Sequence, residues 1–490
     1  MKNPIPPNAD LRQLRTQAKE RLRTLRDDPA RAGAKLADAQ LEIARDHGYP
    51  SWPALVTKIE TPVLIAELRT SIESGDAERL ERLLKSKRSA RRLLDRPLFA
   101  FDSPALIQAS RHPKAERLLT ILVRYGADPN IRSTWWAGGF GALDGASEAT
   151  AKLLLSLGTE FDVWSASAHG RVDVLGELLD RDPSSVNAPG GDGGRPLHFA
   201  STPEVVELLI ARGADLEARD VDHEGTPVQH HVRRSDLLRV LLHYGAQPDI
   251  FTAIALDEID LLRRILENDP DSLDARIGDY PFATEKSDGG HIYIYSLGEG
   301  KTPLQMAIES NARNVLPEIL RRARPIDRLL AAAWMEDAET VTTLIRDDPR
   351  LINEFDSHSR AVADAAQAGR TETVRLLLEA GFDPLGRGLD TGTALHTACW
   401  YGYADVVNLL LGQVPLDLRD DVHESPPLGW ATHGAQWCRN PRGDYVAVAE
   451  SLLKAGADPN APANRDGITM LAQAGEREDM RAVLRRYGAV

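Results

Sequence analysis

The chain has 490 residues, 42% apolar and 27% charged, with a formal net charge of −14. The composition is ordinary for a folded protein, and the length excludes one compact core: the chain is several domains or one elongated array. The negative balance argues against nucleic acid, which is held through basic phosphate contacts, and against adhesion to anionic membranes. Two cysteines, Cys399 and Cys438, exclude a disulfide framework and a CxxC metal motif. No run approaches the roughly 20 apolar residues of a spanning helix, and Met1–Asp10 lacks an apolar leader core, so the expected location is the cytoplasm.

In chain order, Leu11, Leu14, Ala18, Leu22 and Leu25 predict a first amphipathic helix, and Leu36, Ala39, Leu41 and Ile43 a second, from about Ala34 to His47 and stopped by Gly48. Ser51-Trp52-Pro53 caps a third, short helix through Ile59. From residue 63 onward two phrases recur. Gly-Ala-Asp-Pro-Asn stands at 126–130 and 456–460, with degenerate copies at Gly213, Gly245 and Gly381. A second phrase opens many units: Arg195-Pro196-Leu197-His198, Gly225-Thr226-Pro227, Lys301-Thr302-Pro303-Leu304 and Gly392-Thr393-Ala394-Leu395-His396. Thr-Pro starts a helix, a leucine-rich helix follows, and the glycine after the leucines stops it.

These phrases resemble those of the ankyrin repeat. The resemblance covers 63–490 and, at about 33 residues per unit, implies about thirteen repeats. The implied fold is an all-α solenoid of helix-turn-helix repeats with its working surface in a concave groove. The stretch Leu36–Pro53 is similar to the helical leader of bacterial ankyrin proteins, so residues 1–62 are expected to cap the open end of the 63–490 array, as solubility of a repeat array requires.

Three departures bear on function. The first helices near Ala142, Pro196 and Pro227 are short, which would deepen the groove there. An insertion at 277–299 alternates Ile and Tyr beside Gly289-Gly290 and predicts a β-hairpin over the groove, contributing His291, Tyr293 and Tyr295; smaller insertions lie at 133–139, with Trp136, and 435–444. Seven of the eight tryptophans lie in the repeats. By the resemblance, Trp334, Trp400, Tyr401, His433 and His169 fall where ankyrin proteins face a partner, with Trp430 close by; Trp164 is expected to fill the interior. Clustered tryptophan marks interfaces and ligand sites.

A polar phrase is duplicated: Arg219-Asp220-Val221-Asp222-His223-Glu224 resembles Arg419-Asp420-Asp421-Val422-His423-Glu424, and Glu424 stands where a turn glycine is expected. Carboxylates and imidazoles beside aromatic walls suit acid–base chemistry, so Asp222, His223, Glu224, Asp421, His423 and Glu424 are the catalytic candidates, with Asp390 a ligand contact. No nucleotide loop, GxSxG elbow or HExxH helix is present, and no metal or cofactor is expected. The leading expectation is a binding protein that captures a protein segment or small polar, sugar-like ligand in the groove. The alternative is an enzyme with a carboxylate–histidine site and glycoside-type chemistry.

Overall fold

The computed structural model describes residues 11–490, so the first ten residues of the expected cap lie outside the described residues. The chain divides into two units, one of residues up to Gln247 with 286–289, the other of 248–285 with 290–490. Among the described residues no strand forms; two isolated bridges join Phe99 to Ser103 and Leu411 to Val414. No described helix is long and apolar enough to cross a membrane.

In the first unit, Leu11–Asp27 packs on Leu36–Asp46, burying Leu14, Ala18, Ile43 and Ala44. The third helix does not stop at Ile59. It runs from Trp52 to Glu73 through Pro62, and the expected boundary at 62/63 falls inside it. Pro62 forfeits one backbone hydrogen bond, but Leu64, Leu68 and Ile72 bury on the far side of it, which outweighs the loss. Helix pairs follow, including Ala105–Ser110 with Ala115–Arg124 and Val163–Ala168 with Val172–Arg181. The short first helices are real: Pro196–Phe199 and Pro227–His230 are single turns, and only turns occupy 142–145.

In the second unit Pro303–Glu309 packs beside Pro325–Trp334, and Ala361–Gln367, Ala394–Tyr401 and Pro427–Trp437 stack side by side, each followed by its second helix. The sequence phrases explain the unit. Thr302 Oγ1 accepts the Gln305 N–H while Gln305 Oε1 accepts that of Thr302, closing a capping box. His198 and His396 take the glutamine's place: each Nδ1 accepts a cap N–H, from Arg195 and Thr393, and each Nε2 donates onward to the Gly225 or Leu418 carbonyl of the next turn. One imidazole thus ties a helix start to the following repeat. At the other end, Gly381 adopts φ 103° as the left-handed stop of Thr371–Ala380.

The insertion is not a hairpin. Ile292–Ser296 is one helical turn capped by His291. Tyr293 is fully buried against Phe251 and Phe282 and donates to Asp249 Oδ2 at 2.7 Å, while Tyr295 is exposed. The Ile–Tyr alternation therefore sorts inside from outside on a helical turn, and the segment supplies interior packing. Backbone bonds from Ile277 N to the Lys301 carbonyl and from Gly300 N to that of Ile277 pin its ends together.

Candidate functional site

The duplicated phrase builds the same turn twice. Asp220 accepts the backbone N–H groups of His223 and Gly225, and His230 Nε2 donates to its Oδ2 at 2.8 Å. Asp420 accepts those of His423 and Ser425, and the Trp430 indole Nε1 takes the place of His230, again at 2.8 Å. Arg219 and Arg419 each donate to the carbonyl of the phrase's glutamate. Glu224 and Glu424 both sit at φ 50°, a region that normally favours glycine. Burial raises the Asp420 carboxyl pKa, but the hydrogen bonds it accepts outweigh that and hold it below the ordinary carboxylate range; the same balance brings Asp220 to about 2.

The turn aims its histidine at the aspartate of the preceding one. In the first unit His223 Nε2 lies 3.8 Å from Asp192 Oδ2, at 15% and 25% side-chain exposure. In the second, His423 Nε2 lies 3.2 Å from Asp390 Oδ2, at 50% and 51%. Asp192 and Asp390 both have positive φ, 53° and 44°. The buried copy also gathers Asp222, whose backbone N–H, with that of Val221, bonds the Asp192 carbonyl. Burial first, then the nearby Asp222 and Asp220, raise the Asp192 carboxyl, against the lowering effect of His223. Segment 286–289 lies over this turn: Lys286 N–H donates to Glu224 Oε1 at 2.7 Å and Ser287 Oγ to the Asp222 carbonyl.

The exposed copy continues into a row of rings. His423 faces Trp430 at 6.3 Å, Trp430 faces Trp400 at 6.4 Å, Trp400 faces His433 at 5.4 Å and His433 faces Trp437 at 6.5 Å. His433 Nδ1 accepts from Gln473 Nε2 at 2.8 Å, and burial lowers its pKa. Glu299 is raised by burial and by the Asp390 charge beside it, and Tyr401 is pushed up to about 12, chiefly by burial.

The predicted residues divide accordingly. Asp390, His423, Trp400 and His433 come together, with Trp430 beneath them: it is buried and bonded to Asp420, so it supports the row rather than opening onto it. Trp334 is likewise only 6% exposed and packs in the interior. His291 and Tyr293 are fully buried, which removes them as lid contacts. His169 uses Nε2 on the Leu143 carbonyl, as His231 does on that of Leu197, so it staples neighbouring repeats. Trp136 and Tyr295 are exposed. Asp222, His223 and Glu224 share the first turn; Asp421 and Glu424, both exposed, share the second with His423. Trp164 does not fill the interior: it is half-buried, donating to the Ala188 carbonyl beneath Arg132. Sequence reasoning missed Asp192, Asp220, Asp420 and Trp437. For Asp192 the available signal was Asp-Gly at 192–193, 31 residues before His223, much as Asp390-Thr391 stands 33 residues before His423.

Comparison with known proteins bears on the repeats. Residues 329–420 match the family model for ankyrin repeats (3 copies), and residues 192–221 match that for a single ankyrin repeat. These segments are ankyrin repeats. E3 ubiquitin-protein ligase KEG of Arabidopsis thaliana is 26% identical over 306 residues, which is 60% of this chain and 17% of that protein. Ankyrin repeat and SAM domain-containing protein 6 of Mus musculus is 29% identical over 116 residues, covering 23% and 13%. Probable E3 ubiquitin-protein ligase XBOS32 of Oryza sativa subsp. japonica is 32% identical over 155 residues, covering 29% and 31%. The chain thus spans less than a third of each relative, and all three are plant or mammalian.

In ankyrin terms, one junction of the second unit lacks its finger. Only Ala323 and Arg324 separate Leu316–Arg322 from Pro325–Trp334. The neighbouring connections, 269–302 and 348–360, are long, and between them opens a cavity of about 900 Å³. Leu304, Ile308, Leu330 and Trp334 line it with Arg276, Arg324, Asp327 and Arg360. Asp364 ties this wall together, pairing Arg276 at 2.8 Å and Arg360 at 2.9 Å. Trp334 Nε1 is buried there without a hydrogen-bond partner.

Proposed function

We propose that this chain is a binding protein of about thirteen ankyrin repeats behind an N-terminal cap, and that it captures a protein segment along the aromatic row at Trp400, His433 and Trp437. One observation carries the reading: Trp437 is 67% exposed at the end of a continuous row of rings whose other end is the Asp390–His423 pair. Exposed tryptophan is costly in isolation and typical of interface hot spots. Asp390, Asp421 and Glu424 give the row an acidic border, so the segment that fits presents apolar residues beside lysine or arginine, which an indole face also attracts. The ankyrin-repeat matches at 192–221 and 329–420, and a relative named for its ankyrin repeat, support an interaction role.

The test is selection from a random peptide library on the full chain, followed by titration of the enriched peptides. Basic and apolar enrichment is expected, with at least tenfold weaker binding to Trp400→Ala and Trp437→Ala, about 1.4 kcal/mol each. Wild-type affinity in both variants would refute the assignment.

A further inference from the structure

The buried copy of the duplicated turn, in the first unit, has a different chemistry. Asp222 is 7% exposed, and its carboxylate receives no hydrogen bond and no ion pair among the described residues. Asp192 Oδ1 is also buried without a hydrogen-bond partner. One ligand atom from each of Asp192, Asp222 and His223 lies within 4.8 Å of the other two. Two carboxylates this close repel each other, and among the described residues neither is ion-paired to an arginine or lysine. The setting is built rather than incidental. The two turns are locked by the backbone bonds to the Asp192 carbonyl. Segment 286–289 closes over them so tightly that a side chain at Gly289 would place its Cβ 2.4 Å from Asp222 Oδ1. The Trp135 indole N–H lies close enough to Asp192 to favour its charge without closing a hydrogen bond.

We propose that Asp192, Asp222 and His223 bind one divalent transition-metal cation, of the zinc class. The donor set of two carboxylate oxygens and an imidazole nitrogen suits zinc, cobalt or nickel better than magnesium or calcium, which prefer oxygen alone. A tetrahedral ion with bonds of about 2.0–2.2 Å spaces its ligand atoms by roughly 3.4 Å. The 3.8 Å between His223 Nε2 and Asp192 Oδ2 is too long for a hydrogen bond and close to that spacing. A dication also cancels the two charges that burial penalises. The neighbouring trio His198, Asp220 and His230 is as close, yet it is no candidate, because both His198 nitrogens are committed to Arg195 N–H and the Gly225 carbonyl.

The experiment is calorimetric titration of the untagged, chelator-stripped full chain with ZnCl2, backed by cobalt(II) absorption in the visible range. One equivalent is expected to bind, to raise the melting temperature and to give a cobalt d–d band. Asp222→Asn and His223→Asn are each expected to weaken binding at least a hundredfold, and Gly289→Ala at least tenfold. His423→Asn, at the exposed copy, is expected to bind as wild type. Circular dichroism establishes that each variant is folded; if Asp222→Asn is not, His223→Asn decides. No stoichiometric zinc binding by the wild type, as when the carboxylates share a proton instead, would overturn the proposal. So would binding that survives both the Asp222 and His223 substitutions.

Discussion

Asp420→Asn is the sharpest probe of the duplicated turn, because the cost can be worked from its contacts. Oδ2 receives the Ser425 N–H at 3.0 Å and the Trp430 indole N–H at 2.8 Å, while Oδ1 receives the His423 N–H. An asparagine keeps one acceptor. Its better orientation leaves the oxygen toward Ser425 and Trp430 and turns the NH2 against the His423 N–H. One partly buried donor is then unpaired, at about 1–3 kcal/mol, and two bonds to a charged group become bonds to a neutral one, losing about 1 kcal/mol each. The total is about 4 kcal/mol. Repeat arrays open locally, so the readout is amide hydrogen exchange at His423 and Ser425, where protection is expected to fall by about three orders of magnitude. Trp430→Phe keeps the ring and removes one bond, so about a tenfold loss is expected. If Asp420→Asn changed protection no more than Trp430→Phe does, the carboxylate would not be the centre of this turn.

Two further outcomes test the framework. Burial holds His231 and His396 at about 4, below their unfolded value of about 6.5; the unfolded chain binds more protons between those values, so stability should be full above pH 6.5 and fall as pH drops toward 4, measured as a shrinking denaturant midpoint, and a flat profile there would contradict neutral buried imidazoles. Glu424→Gly should raise stability by about 1 kcal/mol by relieving a left-handed non-glycine residue; a loss of stability, read by denaturant titration, would mean that the glutamate side chain holds the turn.

How much was legible follows from the range of each cause. Helix starts at Thr302 and Thr393 and the stop at Gly381 are set by neighbours a few residues away, and so the helix pairs could be read. So could the short helices at Pro196 and Pro227, because the residues of the missing turns are missing from the chain. The insertion could not. Over five residues, Ile292–Ser296 offers the same inside–outside contrast to a strand and to a helical turn, and the choice is made by Phe251, Phe282 and Asp249, with which Tyr293 packs and bonds. The tryptophans misled for a related reason. Position within the repeat says which face a residue starts on, but Trp430 is drawn inward by an acceptor ten residues earlier and Trp334 by its neighbours in the interior. Asp192 was invisible because its significance lies wholly in the turn that follows it some thirty residues later.

The two copies of that turn show how burial alone separates two functions. Asp220 and Asp420 fix the backbone alike, and each histidine meets the aspartate of the preceding turn. At the second copy both partners are half exposed, and an exposed ion pair is worth about 0–1 kcal/mol. Water already satisfies these groups, so they are cheap to keep and free to meet a basic side chain; what gives that surface affinity is the adjacent row of rings. At the first copy, under segment 286–289, less water reaches the groups: Asp222 is 7% exposed and the His223 and Asp192 side chains 15% and 25%. The same aspartate gains a second carboxylate, Asp222, that no basic group among the described residues pairs with, and leaving a buried charge unpaired is among the costliest errors a fold can make. A chain with no use for that arrangement gains stability by losing one carboxylate. Asp222→Asn therefore separates the two cases on stability alone: in chelator it should be as stable as the wild type or more so, and in zinc less so. A variant less stable in both conditions would mean that the carboxylate is structural and that the cation is not its counterpart.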